Sequence, residues 1–169
     1  MFLFNLLIHK QIKINEVMGT SVSIFKVNYE DMQCVCRTAN PMNQYQYQYQ
    51  SDTNIKAPVL INTLPPGMQG CLIPGTLPIE EEEVCMNTML SELNREIIVY
   101  GKNANDDTVH KKYQQLIGLG FKNARVYPGG MFEWLMLQDI YGAVSFPTTS
   151  KEMDILKYKP PSSRQKLLN

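Results

Sequence analysis

Several scarcities narrow the field before any motif is read. Net charge is absent, since sixteen basic and sixteen acidic side chains cancel over 169 residues. No overall field draws the chain to nucleic acid, and no basic cluster occurs before the C-terminal tail. Long apolar runs are missing as well. The opening "MFLFNLLIHK" is apolar but is interrupted by Asn5 and has no leading basic region. It is too short to span a membrane, and the reading is of a strand or helix that docks on the domain or on a partner. Histidine is limited to His9 and His110, and cysteine to Cys34, Cys36, Cys71 and Cys85. The C-x-C pair lacks the spacing and the second pair of a zinc knuckle, and the two histidines do not complete one. One residue apart on a helix, Cys34 and Cys36 point to different sides and do not pair with each other. Reduced thiols in an intracellular, cytoplasmic protein are expected, with no metal and no cofactor.

What is present has the size of one domain with appended segments, and 44% hydrophobic content lies in the globular range. Met18-Gly19 begins an "M-G-T-S-V-S" run that fits a myristoylation pattern, and the reading is that Met18 is internal and the match accidental. From Ile24, a short strand (Ile24, Phe25, Val27) leads to a helix capped by Asn28, with Glu30 and Asp31 in its first turn. Met32, Val35 and Cys36 fall on one buried face of that helix, which Asn40-Pro41 ends. The alternating "NQYQYQYQ" at 43–50 reads as a loop or marginal strand, and its tyrosines suit protein contact.

"APVLINTL" is a buried strand with Pro58 before it, followed by a turn-rich stretch with an extended piece at Leu72-Ile73. Four glutamates then open a helix whose apolar face is expected to be Val84, Met86, Leu90 and Leu93. Those acids serve the positive helix start rather than a metal. Ile97–Tyr100 is a strand, and the next helix buries Val109, Tyr113, Leu116 and Ile117 before a glycine stop. "NARVY" and "MFEWLMLQDIYG" supply a last strand and a last helix. Strands alternating with helices indicate an α/β domain with a mainly parallel sheet. The stretch from 139 reads as an arm over the surface or onto a neighbour, outside the core.

The order of these elements and several short motifs resemble the rhodanese-like domain over about residues 24–138. Leu72-Ile73-Pro74-Gly75-Thr76 is similar to the family's "HIPGA" turn, with Leu72 in place of His. Ile98-Val99-Tyr100 is similar to the strand that leads into the family's active-site loop, and Leu116 to Phe121 to its "L…GF" helix end. Val126-Tyr127-Pro128-Gly129-Gly130 followed by Trp134 is similar to its "v..l.GG...W" signature. The resemblance implies an α/β fold with a parallel sheet of about five strands flanked by helices on both faces. Residues 1–23 then form an N-terminal segment and 139–169 a tail. The tail is also similar to tails on rhodanese-like proteins of large DNA viruses, which implies a virion or an infected-cell cytoplasm as its setting.

For chemistry the resemblance implies a loss. The family's sulfurtransferases carry a cysteine directly after the strand, whose thiolate takes sulfur as a persulfide and needs a low pKa. That position is Gly101, and the arginine often found five residues later falls on Asp106, with the next position Asp107. The loop Gly101, Lys102, Asn103, Ala104, Asn105, Asp106, Asp107 therefore has no nucleophile and repels anions. Like charges about 4 Å apart at a protein surface cost on the order of 4 kcal/mol before screening. Asp106 or Asp107 is expected to accept the free amides of the Val109 helix, filling the cradle from within. The two acids are adjacent and have no third ligand, so capping accounts for them better than magnesium or hydrolysis. His110 reads as a solvated histidine rather than a base.

Three readings of function follow. The first is a catalytically inactive rhodanese-like domain that works in protein–protein interaction or assembly, with oligomerisation open and no nucleic-acid partner. The second is a sulfurtransferase with a displaced cysteine, Cys71, while Cys85 sits on the acidic helix. The third is a loop that binds a cationic partner side chain through Asp106 and Asp107.

Overall fold

The computed structural model describes residues 24–39 and 56–162. The expectations for residues 1–23, Met18-Gly19, the Gln/Tyr run at 43–50 and the last residues of the tail lie outside that span. In chain order the elements are α1 (Tyr29–Ala39), β1 (Val59–Asn62), a 3₁₀ turn (Pro66–Met68), α2 (Glu82–Met89) and β2 (Ile97–Tyr100). After them come α3 (Asp107–Gly118), β3 (Ala124–Tyr127), α4 (Gly130–Tyr141) and a second 3₁₀ turn (Ile155–Tyr158).

The three strands form a parallel sheet in the order β1-β2-β3. Five strands were expected. The remaining two are reduced to single parallel bridges, one at each edge: Lys26 pairs with Val126 beside β3, and Thr76 with Leu60 beside β1. The second bridge sits at Thr76 rather than at Leu72-Ile73. There the Tyr100 hydroxyl lies 2.7 Å from Thr76 Oγ1 and accepts the Ile73 N–H. A buried phenol fixes the turn that closes this edge.

Period-two alternation divides the sheet into two faces. Leu60, Ile98, Tyr100 and Tyr127 point to one, where Met32, Val35 and Cys36 of α1 meet Met131, Trp134 and Leu135 of α4. Ile61, Ile97, Val99, Ala124 and Val126 point to the other, against Met86 and Met89 of α2 and Val109, Tyr113 and Leu116 of α3. All four buried residues of β2 follow from this, because the central strand of a parallel sheet is covered on both sides.

Helix ends follow their sequence signals. Asn28 and Asp31 exchange side-chain and backbone bonds of 3.0 Å, a reciprocal cap for α1. Gly120, at φ 96, ends α3 with paired bonds from Gly120 N–H to Ile117 and from Phe121 N–H to Leu116. The expected face of α2 requires correction. Met86 and Met89 are its buried residues, whereas Val84 and Leu90 are exposed. Val84 and Met86 lie about 200° apart around a helix and cannot share a face.

The tail also requires correction. Phe146 and Tyr158 are buried in the same cluster as Trp134. Phe146 meets Trp134 edge-on at 5.0 Å and lies between Tyr29 and Tyr141. Backbone carbonyls of the tail accept bonds from Trp134 Nε1 (to Pro147, 2.8 Å), Gln138 Nε2 (to Phe146, 2.6 Å) and Gln33 Nε2 (to Ser145, 2.7 Å). These residues complete the α1/α4 layer rather than lie outside it.

Candidate functional site

Three loops converge where the strands end at their C-terminal edge, the usual ligand-binding side of an open parallel sheet. β1 runs into Thr63, β2 into residues 101–106, and β3 into Pro128-Gly129-Gly130. Tyr100 C=O accepts Thr63 N–H at 2.9 Å, Gly101 C=O accepts Met131 N–H at 2.9 Å, and Lys102 C=O accepts Phe132 N–H at 2.8 Å. The first amides of α4 thus hold the loop by its backbone. Gly130 makes that approach feasible: its φ is +59, and a Cβ there would stand 2.5 Å from Gly101 O and 2.9 Å from Asn103 N.

Asp106 organises the loop from inside. It is the N-cap of α3, as expected, while Asp107 occupies the first turn and is exposed. One carboxylate oxygen accepts Lys102 N–H at 2.8 Å, and the other accepts Thr108 N–H at 3.1 Å. The Thr108 hydroxyl stands 2.5 Å from the second oxygen and 2.8 Å from the Thr63 hydroxyl. Negative charge at this helix start is stabilised by the amides and the dipole.

Gly101 is buried beneath this carboxylate. A Cβ on Gly101 would stand 2.4 Å from Asp106 Oδ2, 2.6 Å from Val109 Cγ2 and 2.8 Å from Thr63 Oγ1. Its φ lies outside the left-handed region, so the constraint is one of space and not of backbone conformation. The sequence signals Gly101 as a missing side chain; the structure shows that the volume is filled.

Asn103 is one of two buried polar residues among those described. Its carbonyl accepts Asp106 N–H at 3.1 Å, Oδ1 accepts Asn105 N–H at 3.0 Å, and Nδ2 donates to Tyr158 C=O at 2.6 Å. Sequence reading missed that last bond, since Tyr158 is 55 residues away. Beside the loop lies a cleft of about 290 Å³ lined by Ile24, Lys26, Asn103, Ala104, Asp106, Asp107, Val109, His110, Val126 and Pro128. His110 is exposed, and its Nε2 lies 2.8 Å from the Gln114 amide nitrogen. Among the described residues, no three His, Cys, Asp or Glu side chains converge as for a metal.

The rhodanese-like domain family matches residues 49–137, just over half of the chain and including all three strands, α2, α3 and the loop. The chain belongs to the rhodanese-like domain family. The crystal structure of a single-domain sulfurtransferase from Saccharomyces cerevisiae is similar at 14% identity and a TM-score of 0.45, over 76% of this chain and 99% of that one. None of the curated proteins matches the chain. Among the described residues of this rhodanese-like chain, no helix is long and apolar enough to cross a membrane.

All four thiols are free. Cys71 is buried at 4% exposure, and its Sγ donates to Ser150 C=O at 3.2 Å. Burial pushes this thiol up. Burial also pushes Cys36 up, to about 12. With a disulfide reagent on the folded protein, exposed Cys34 should react first, and Cys36 and Cys71 only at the rate of unfolding. A fast Cys71 would contradict the buried geometry.

Proposed function

We propose that this rhodanese-like domain has given up sulfur transfer at residues 101–107 and works by binding a protein partner. The observation that carries this reading is the volume at Gly101. Where the family's sulfurtransferases carry a nucleophile, this chain has no side chain and fills the space with the Asp106 carboxylate. A thiosulfate anion approaching the loop meets that charge first. Cys71 is a poor replacement, being buried, protonated and turned toward the Ser150 carbonyl.

Binding is supported by apolar surface left uncovered on the outer side of α4 and the turn after it. Met136, Ile140, Tyr141 and Val144 are exposed there, Ile140 at 65% and Val144 at 99%. Large apolar side chains left exposed close together in the chain are a usual mark of protein contact.

The deciding experiment is a thiosulfate and mercaptopyruvate sulfurtransferase assay on the full chain, with Cys71→Ser and Cys85→Ser beside it. Thiocyanate or pyruvate formation no faster than the protein-free blank is expected for all three. Turnover in the unsubstituted chain that disappears in either variant would overturn the reading and make the displaced thiol the nucleophile.

A further inference from the structure

We propose that residues 142–158 form a releasable strap over the site loop, and that the Asn103–Tyr158 bond is its latch. The strap is fastened in two places. Near its start, Phe146 is buried, and bonds run from Thr149 N–H to Leu72 C=O (2.9 Å), from Leu72 N–H to Thr149 Oγ1 (3.0 Å) and from the Ser150 hydroxyl to Gly70 C=O (2.7 Å). At its far end Tyr158 is fully buried, and its carbonyl takes the Asn103 side-chain amide at 2.6 Å.

Between these fastenings the strap is lightly held. No side chain from 151 to 157 is fully buried, and Met153 and Leu156 are largely exposed, with Ile155 alone packing against the α1/α4 core. The span satisfies itself locally: the Glu152 carboxylate accepts the N–H groups of Met153 and Asp154 and pairs with Lys157. Beside it an open cleft of about 630 Å³ lies between Leu135, Gln138 and Asp139 of α4 and Met153 and Ile155 of the strap. Exposed side chains, hydrogen bonds satisfied within the span and an open cleft alongside mark a segment that opens at lower free energy than the core.

The latch joins this segment to the loop through one residue. Asn103 also receives Asn105 N–H on Oδ1 and Asp106 N–H on its carbonyl, so its position sets the turn that presents Asp106 to Lys102. Once Tyr158 leaves, the Asn103 amide loses its buried acceptor and the turn loses its anchor. Release of the strap and opening of the loop are then one event, whatever the loop binds.

Amide hydrogen exchange followed by NMR on the full chain tests this with two substitutions on opposite sides of the latch. Asn103→Asp removes the donor to Tyr158 but keeps an oxygen for Asn105 N–H. Tyr158→Leu weakens the far fastening without touching the loop. Each should speed exchange of the Lys102, Asn105 and Asp106 amides by roughly tenfold, the worth of one buried hydrogen bond, with Ile98 and Val99 of β2 unchanged. Loop amides at their unsubstituted rates in Tyr158→Leu would overturn the proposal. So would an equal rise in β2, because the strap would then open only with the whole fold.

Discussion

Gly101→Cys should support no sulfur transfer and should destabilise the protein by about 3 kcal/mol, a cost that overlaps in part with that of removing Asp106. A Cβ at this position meets the Asp106 carboxylate at 2.4 Å, the Val109 methyl at 2.6 Å and the Thr63 hydroxyl at 2.8 Å. Overpacking of this kind costs about 1–3 kcal/mol. Displacing the carboxylate would also forfeit its bonds to Lys102 N–H and Thr108 N–H, at about 1 kcal/mol or more each. Asp106→Ala alone removes the cap of α3 together with both of those bonds and should cost about 2 kcal/mol. In Gly101→Cys/Asp106→Ala the nearest obstacle is gone, so the two costs should fall short of their sum by at least about 1 kcal/mol. Urea unfolding of the four proteins measures the coupling. Strict additivity would mean that Asp106 does not hold that volume in solution.

Phe146→Ala should cost about 4 kcal/mol and lower the melting temperature by about 10 °C. Phe146 is 3% exposed, stands edge-on to Trp134 and is flanked by Tyr29 and Tyr141. Loss of the ring opens a cavity beside the one tryptophan in the chain and strips three aromatic contacts. Were the tail a surface arm, the same substitution would fall within about 0.5 kcal/mol of zero. Thermal unfolding monitored by tryptophan fluorescence separates the two outcomes, and a change under about 1 kcal/mol would return the tail to the surface.

The parts of the fold that were legible share one property: their signals are local. β1, β2 and β3 are short apolar runs, α3 carries an acid at its start and a glycine at its stop, and α1 places Met32, Val35 and Cys36 on one stripe. The family motifs added the order that such runs cannot supply alone. Local signals failed at α2, where Val84, Met86, Met89, Leu90 and Leu93 offer several competing stripes over two turns. They failed again at Phe146 and Tyr158, isolated aromatics in a segment with prolines and no period, whose burial depends on residues far away in the chain. The site divides in the same way. That residues 101–107 hold no cysteine, and that an acid caps α3, can be read from the sequence. The filled volume at Gly101 and the Asn103–Tyr158 bond cannot, since each is made by a partner placed by the tertiary fold.

The bridge from Lys26 to Val126 bears on how the chain is made. The residues just before α1 find their sheet partner a hundred positions later, and the layer over that sheet closes only with Phe146 and Tyr158. On a ribosome adding about 5–20 residues per second, α1 waits several seconds with Met32 and Cys36 unburied. The α1/α4 layer therefore closes only after nearly the whole domain has left the exit tunnel.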